Sequence, residues 1–213
     1  MSSGDEPDLT LFLDILQTLE RSGAPYMVIG GFAATLYGIT RTTYDIDIVV
    51  DLREQHIQAL AMAYPSPRYY ADPEQMRSSI RMGMPFNIID GTRGEKADLS
   101  PLTRDSRYRF AFGRRIRQRI EWEGVEPFEV WCARPDDVIF GKLLAWDEGR
   151  SRKHRSDIYD MLVFHYLAAD PTLIPTFDEA YLDGQAIALG PDIVEFWQSI
   201  KTAARAEANR DEG

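Results

Sequence analysis

Cysteine is nearly missing from this chain: among 213 residues only Cys132 carries a thiol. A single cysteine excludes an internal disulfide and any cysteine metal cluster. Its apolar, strand-like surroundings mark it as a buried structural thiol rather than a nucleophile. Histidine is also scarce, and His154 and His165 have no partners at metal-ligand spacing. No apolar run approaches the ~18 residues of a membrane span, and no charged segment followed by an apolar one opens the chain. The expectation is a cytoplasmic protein with no membrane partner. Basic charge is in deficit, with 24 Lys and Arg against 34 Asp and Glu for a net −10. That argues against a broad nucleic-acid footprint, which needs many Lys and Arg contacts to release counterions. Internal repeats and low-complexity linkers are absent as well.

What is present is enough to build a core, with 44% hydrophobic and 11% aromatic residues. The length fits one large domain or a domain with a helical annex. The most informative stretch runs from Tyr26 to Asp51, YMVIGGFAATLYGITRTTYDIDIVVD. It reads as an apolar strand, the pair Gly30-Gly31, a short helix closed by Gly38, a loop, and a second strand carrying Asp45 and Asp47. Alternation along a strand puts Asp45 and Asp47 on one face while Ile46 and Ile48 point the other way. Two carboxylates flanked by buried isoleucines repel each other and are costly to desolvate, so a cation is expected between them. A hard, oxygen-seeking ion, Mg²⁺ or Mn²⁺, suits such a pair when substrate phosphates complete its coordination. Glycines between a strand and a helix let backbone N–H groups approach a phosphate. Metal and phosphate together point to a nucleotide. Asp51 shares the carboxylate face and reads as a strand-end residue or the N-cap of a helix over 52–64.

These residues resemble the polymerase-β-like nucleotidyltransferases, whose signature is an apolar residue, Gly-Gly or Gly-Ser, nine to thirteen residues, and Asp-apolar-Asp. Here it stands as Ile29-Gly30-Gly31, thirteen residues, and Asp45-Ile46-Asp47-Ile48. The run GGFAATLYGITRTTYDIDIVV is similar to the AbiEii/AbiGii toxin-type branch, which shows Arg-x-Thr before the acids; Arg41 and Thr43 match it. The resemblance implies an α/β (α+β) nucleotidyltransferase fold, a mixed β-sheet flanked by helices with a helical C-terminal part. The expected division is a core over 1–133 and a helical region over 134–213 packed on it. It implies transfer of a nucleoside monophosphate from a nucleoside triphosphate, with two Mg²⁺ or Mn²⁺ ions bound beside the nucleotide. Asp45 and Asp47 are then metal ligands, Gly30 and Gly31 hold triphosphate oxygens, and Arg41 and Thr43 serve the nucleotide. The acceptor stays open among a transfer-RNA end, a protein hydroxyl and a small molecule such as an aminoglycoside. A toxin role implies a cognate antitoxin. Two other classes remain: a nucleotide- and metal-binding pseudoenzyme, and a module acting through a protein partner.

A third carboxylate is expected on a later strand. PFNII over 85–89 and KADL over 96–99 read as two strands of a hairpin joined by a turn-rich connection. In isolation Asp98 reads as an exposed strand residue; the resemblance makes it the third catalytic and metal-binding acid, with Asp90 in reserve. A helical pattern over 102–112 precedes a hairpin of strands over 114–121 and 125–132, turning at Glu123-Gly124. Its many arginines read as a solvated face balanced by glutamates. Pro135-Asp136-Asp137 opens a helix that leads to Lys142-Leu143. In the context of the family, Lys142 is expected to contact nucleotide phosphates. A basic loop over 149–155 precedes a helix over 156–167, where Asp157 caps the helix and pairs with Lys142 or Arg155. The resemblance adds Asp157 as a further site candidate. Beyond it come a short helix over 177–182 and a long one over 192–208 whose packed side carries Val194, Trp197, Ile200, Lys201 and Ala204.

Overall fold

The computed structural model describes residues 9–39, 46–122 and 124–211. Arg41, Thr43, Asp45 and Glu123 lie outside the described residues, so the expectations placed on them are not addressed by the coordinates. The chain divides into two compact units, Met1–Phe32 with Thr42–Ala133, and Ala33–Arg41 with Arg134–Gly213.

The first unit is built on a mixed sheet. In chain order it comprises α1 (Thr10–Ser22), β1 (Tyr26–Ile29), the start of α2 (Gly30–Thr35), β2 (Asp47–Val50), α3 (Glu54–Ala63), β3 (Tyr69–Tyr70), α4 (Pro73–Met82), β4 (Phe86–Asp90), β5 (Glu95–Pro101), α5 (Ser106–Gly113), β6 (Ile116–Trp122) and β7 (Val125–Cys132). The strand order is β3-β4-β5-β2-β1-β7-β6. β1 runs antiparallel to β2, and β2 runs parallel to β5. One cross-sheet row, Val28, Ile48, Leu99 and Phe86, is buried to 1% exposure or less. Each such side chain contributes about 1.5–3 kcal/mol by leaving water. Register is fixed by that row, because a slip of one residue would turn every one of these side chains to the other face.

Local signals set the helix ends. Gly23 stops α1 in a left-handed conformation, and Asp72 caps α4 by accepting from the Glu74 amide at 2.9 Å. Two boundaries differ from expectation. α3 begins at Glu54 with Arg53, not Asp51, as its N-cap, because His56 Nδ1 accepts from the Arg53 amide at 3.1 Å. Asp51 is an exposed strand-end residue whose amide donates to Pro25 O at 2.9 Å. α5 starts only at Ser106, where Asp105 caps it by accepting from the Arg107 amide.

The hairpin arginines are less solvated than their density suggested. Arg117 reaches Glu20 on α1 at 2.7 Å, lies over the Trp131 ring, and joins Tyr26, whose hydroxyl donates to Glu20 at 2.6 Å. Burial of Tyr26 leaves that hydroxyl protonated at any ordinary pH. Arg117–Glu129 is a cross-strand ion pair as expected. Cys132 is fully buried, and burial pushes its thiol far above the ordinary value, as fits a structural role.

The second unit is helical: α6 (Pro135–Gly149), α7 (Arg152–Tyr166), α8 (Glu179–Leu189) and α9 (Pro191–Asp211). Ser151 caps α7 by accepting from the Lys153 amide, so the basic stretch expected as a loop is mostly helix. Gly38 takes φ +97°, and a Cβ there would overlap the Phe164 side chain. Asp136 ties the start of α6 to the start of α8 by accepting from the Asp178 amide at 3.2 Å. Trp197, Ile200, Lys201 and Ala204 form the buried side of α9, with Val194 half-buried. Lys201 is buried against Asp183 and Glu179, and Glu179 also receives Arg205 and the Tyr166 hydroxyl.

Candidate functional site

In the first unit the expected carboxylates come together through strand register. Asp47 is the first residue of β2, opposite Ile29 on β1 and opposite Asp98 on the parallel β5. Asn87 on β4 lies opposite Asp98 in turn. Cross-strand neighbours project from the same face, so Ile29, Asp47, Asp98 and Asn87 form one row, each partly exposed. The adjoining row is the buried one described above, so the carboxylates sit on a rigid edge of the core. Asp90 is elsewhere: it lies three residues beyond Asn87, is 1% exposed, and accepts from Arg68 at 2.8 and 3.1 Å and from the Thr92 and Arg93 amides. Its carboxylate is consumed in holding the β4–β5 connection.

The residue that follows β1 has to be glycine, Gly30. Its φ is +68°, and an added Cβ would overlap Asp47 Oδ2 and lie 3.2 Å from the carboxylate carbon. Only a residue without a side chain lets the turn pass that close to the acid. Gly31 follows in the first turn of α2 and is partly exposed.

Asp98 has two neighbours that sequence reading did not single out. Asn87 Nδ2 donates to Oδ1 at 2.6 Å, and Lys96 Nζ lies 3.0 Å from Oδ2. Alternation carried the signal for Lys96, two residues before Asp98 on the same face. A lone amide inside the apolar run PFNII carried it for Asn87. Asp47 has a neighbour of its own in Tyr108 on α5, half-buried and close enough to feel the Asp47 charge. Burial is the main cause that raises its phenol above the ordinary value, with Arg104 opposing and Asp105 and Asp47 reinforcing. It therefore stays a neutral O–H donor at physiological pH.

The donor set fits a hard divalent cation. Asp47 and Asp98 offer carboxylate oxygens on one face, with soft sulfur and imidazole ligands missing from the row. Among the described residues no group of three or more His, Cys, Asp or Glu side chains stands close enough to hold a metal ion. Asp45 lies outside them.

In the second unit Lys142 and Asp157 are brought together. Lys142 is 6% exposed, Asp157 fully buried, and Nζ donates to Oδ2 at 2.6 Å. Asp157 lies in the second turn of α7 rather than at its cap, since the cap position belongs to Ser151. Of the two partners expected for it, Lys142 is one that the structure supplies. Among the described residues no helix is long and apolar enough to cross a membrane.

Among solved structures, an antigenic nucleotidyltransferase-like protein from Paracoccidioides brasiliensis is similar at 20% identity, covering 78% of each chain with a TM-score of 0.49. ANT(2'')-Ia in complex with adenylyl-2''-tobramycin is similar at 16% identity, covering 93% of this chain and 97% of that chain with a TM-score of 0.41. The lincosamide antibiotic adenylyltransferase LnuA, lincomycin-bound, is similar at 17% identity, covering 74% of this chain and 98% of that chain with a TM-score of 0.39. No curated protein matches the chain. Residues 14–184 match the family described as Nucleotidyl transferase AbiEii toxin, Type IV TA system; with most of its length matched, the protein belongs to this nucleotidyl transferase family.

Proposed function

We propose that the carboxylate row of the first unit is the catalytic centre of a metal-dependent transfer of a nucleoside monophosphate from a nucleoside triphosphate to an acceptor. The observation that carries this reading is the direct opposition of Asp47 and Asp98 across β2 and β5, beside a left-handed glycine turn where a Cβ would push into the Asp47 carboxylate. The acceptor oxygen attacks the α-phosphorus, the bond from that phosphorus to the bridging oxygen breaks, and pyrophosphate leaves. Asp45 and Asp47 would hold the divalent ions, and Asp98 would complete the set and polarise the acceptor. Bound Mg²⁺ or Mn²⁺, as two ions, would supply charge stabilisation at the attacking and leaving oxygens. Gly30 and Gly31 present backbone N–H groups to the triphosphate, and Arg41 and Thr43 serve the nucleotide. From its place in the Pro-acid-acid to Lys-Leu segment, Lys142 is assigned to offset phosphate charge. Asp157, which pairs with it, orients its ammonium.

The toxin–antitoxin part of the family description supports a toxin role with a cognate antitoxin. The acceptor class is drawn from transfer-RNA ends, protein hydroxyls and small molecules. The test is to incubate the protein with each α-labelled nucleoside triphosphate and Mg²⁺ or Mn²⁺, together with RNA, protein or small-molecule pools. Label entering one pool names nucleotide and acceptor together. Nucleotide binding without any labelled product would favour a binding module, and unchanged toxicity of Asp47→Asn in cells would favour a partner-only role.

A further inference from the structure

Asp98 is held by two groups of different electrical character. The Asn87 amide, donating to Oδ1 at 2.6 Å, is neutral and remains compatible with a cation on the same carboxylate. The Lys96 ammonium lies 3.0 Å from Oδ2 and 3.4 Å from Oδ1, and it carries the sign of any ion that would bind there. Among the described residues, the Asp47 and Asp98 carboxylates share this face with the Lys96 ammonium, which offsets one of their two negative charges. The ammonium occupies space in front of the oxygens that a divalent ion would need. The arrangement is not locked by burial, because the Lys96 side chain is 49% exposed and that of Asp98 is 31% exposed. A long flexible side chain in that setting can swing into water at small cost.

We infer that Lys96 is the resident cation of Asp98 in the metal-free protein and competes directly with the divalent ion for this carboxylate. The inference rests on the reading of Asp47 and Asp98 as an ion-binding pair. Free ions load weakly while the ammonium is in place. An ion that arrives already neutralising a triphosphate brings anionic oxygens with it, and these give the displaced ammonium a new counter-charge on the same face. The protein therefore takes its ions together with the nucleotide in preference to binding them alone.

The experiment uses Mn²⁺ without nucleotide, read by the electron paramagnetic resonance signal of the free ion, on the full chain. Lys96→Met should bind Mn²⁺ about two- to fivefold more tightly than wild type, the range expected for relieving one half-exposed ion pair. Lys96→Arg, which keeps the charge, should stay near wild type. The gain should vanish when Lys96→Met is made in an Asp98→Asn background. Equal or weaker binding by Lys96→Met, or a gain that persists without the Asp98 charge, would overturn the competition. Mn²⁺ affinity that is the same in Asp47→Asn as in wild type would overturn the underlying reading of the carboxylate pair, and the inference with it. Far-UV circular dichroism separates all of these outcomes from unfolding, since Lys96 lies in an exposed strand position.

Discussion

Asp47 and Asp98 stand directly opposite each other on two parallel neighbouring strands, far apart in sequence and partly exposed on a sheet whose adjoining row is buried. Two anions so placed repel one another, and the half-exposed Lys96 ion pair on Asp98 is worth at most about 1 kcal/mol, so stability does not account for the pair. Asp47→Asn and Asp98→Asn should each lower transfer by at least about 100-fold, the scale for losing one charge-stabilising group. Melting temperature without metal should stay within a few degrees of wild type or rise. Combining the two should cost little beyond either alone, because the groups act as a unit. Parallel thermal melts and turnover assays check this.

Gly30→Ala should damage fold and activity together. The change forces a side chain into a left-handed backbone, at about 1–2 kcal/mol, and drives its Cβ into Asp47 Oδ2. Denaturant unfolding should show a loss of that size or more. The loss of turnover should exceed what the unfolded fraction explains, since Asp47 itself must move.

The buried pair Lys142 and Asp157 separates stability from function. Removing one partner leaves an uncompensated buried charge and should cost about 3–5 kcal/mol, so Lys142→Met alone should be strongly destabilised. The double variant Lys142→Met with Asp157→Leu should regain much of that stability. If Lys142 serves the nucleotide, the double variant stays inactive although folded. Recovery of turnover along with stability would confine the pair to a structural role.

Acid sensitivity should be traceable to Asp90. The Arg68 guanidinium, followed by the Thr92 and Arg93 amides, holds its carboxylate below the ordinary range against the opposing effect of burial. A carboxylate whose folded pKa is depressed stabilises fully above its unfolded pKa of about 3.9 and loses that contribution as pH falls toward the folded value. Asp90→Asn should therefore be less stable than wild type at pH 7, and the gap should close as urea titrations are repeated from pH 5 to pH 3.

Local pattern carried much of this fold. The alternation of Ile46-Asp47-Ile48, the glycine pair and Pro135 at a helix start each act within a few residues, and β1, β2 from Asp47 onward and α6 lie where they indicate. The pairing of β2 with β5 is non-local, and Asp98 became a candidate only through resemblance, because an aspartate in Ala97-Asp98-Leu99 looks like any exposed strand residue. The start of α7 is not legible locally, because five basic residues in seven read as solvated loop, whereas a single serine at 151 supplies the cap. Arg53 as an N-cap was not readable either, since it works through the His56 ring rather than through a capping oxygen of its own. Asn87 and Lys96 are hidden for a different reason: their place beside Asp98 appears only once strand register is set.

The most direct test of the account is the fate of the two ends of the triphosphate. The protein is supplied with nucleoside triphosphate labelled at the α- or the γ-phosphorus, Mg²⁺ or Mn²⁺, and a cell extract as acceptor source, with Asp47→Asn and Asp98→Asn in parallel. The account predicts that α-label enters an acceptor and γ-label leaves as pyrophosphate, and that both variants fail. Transfer of γ-label, or α-label transfer that survives in both variants, would contradict it.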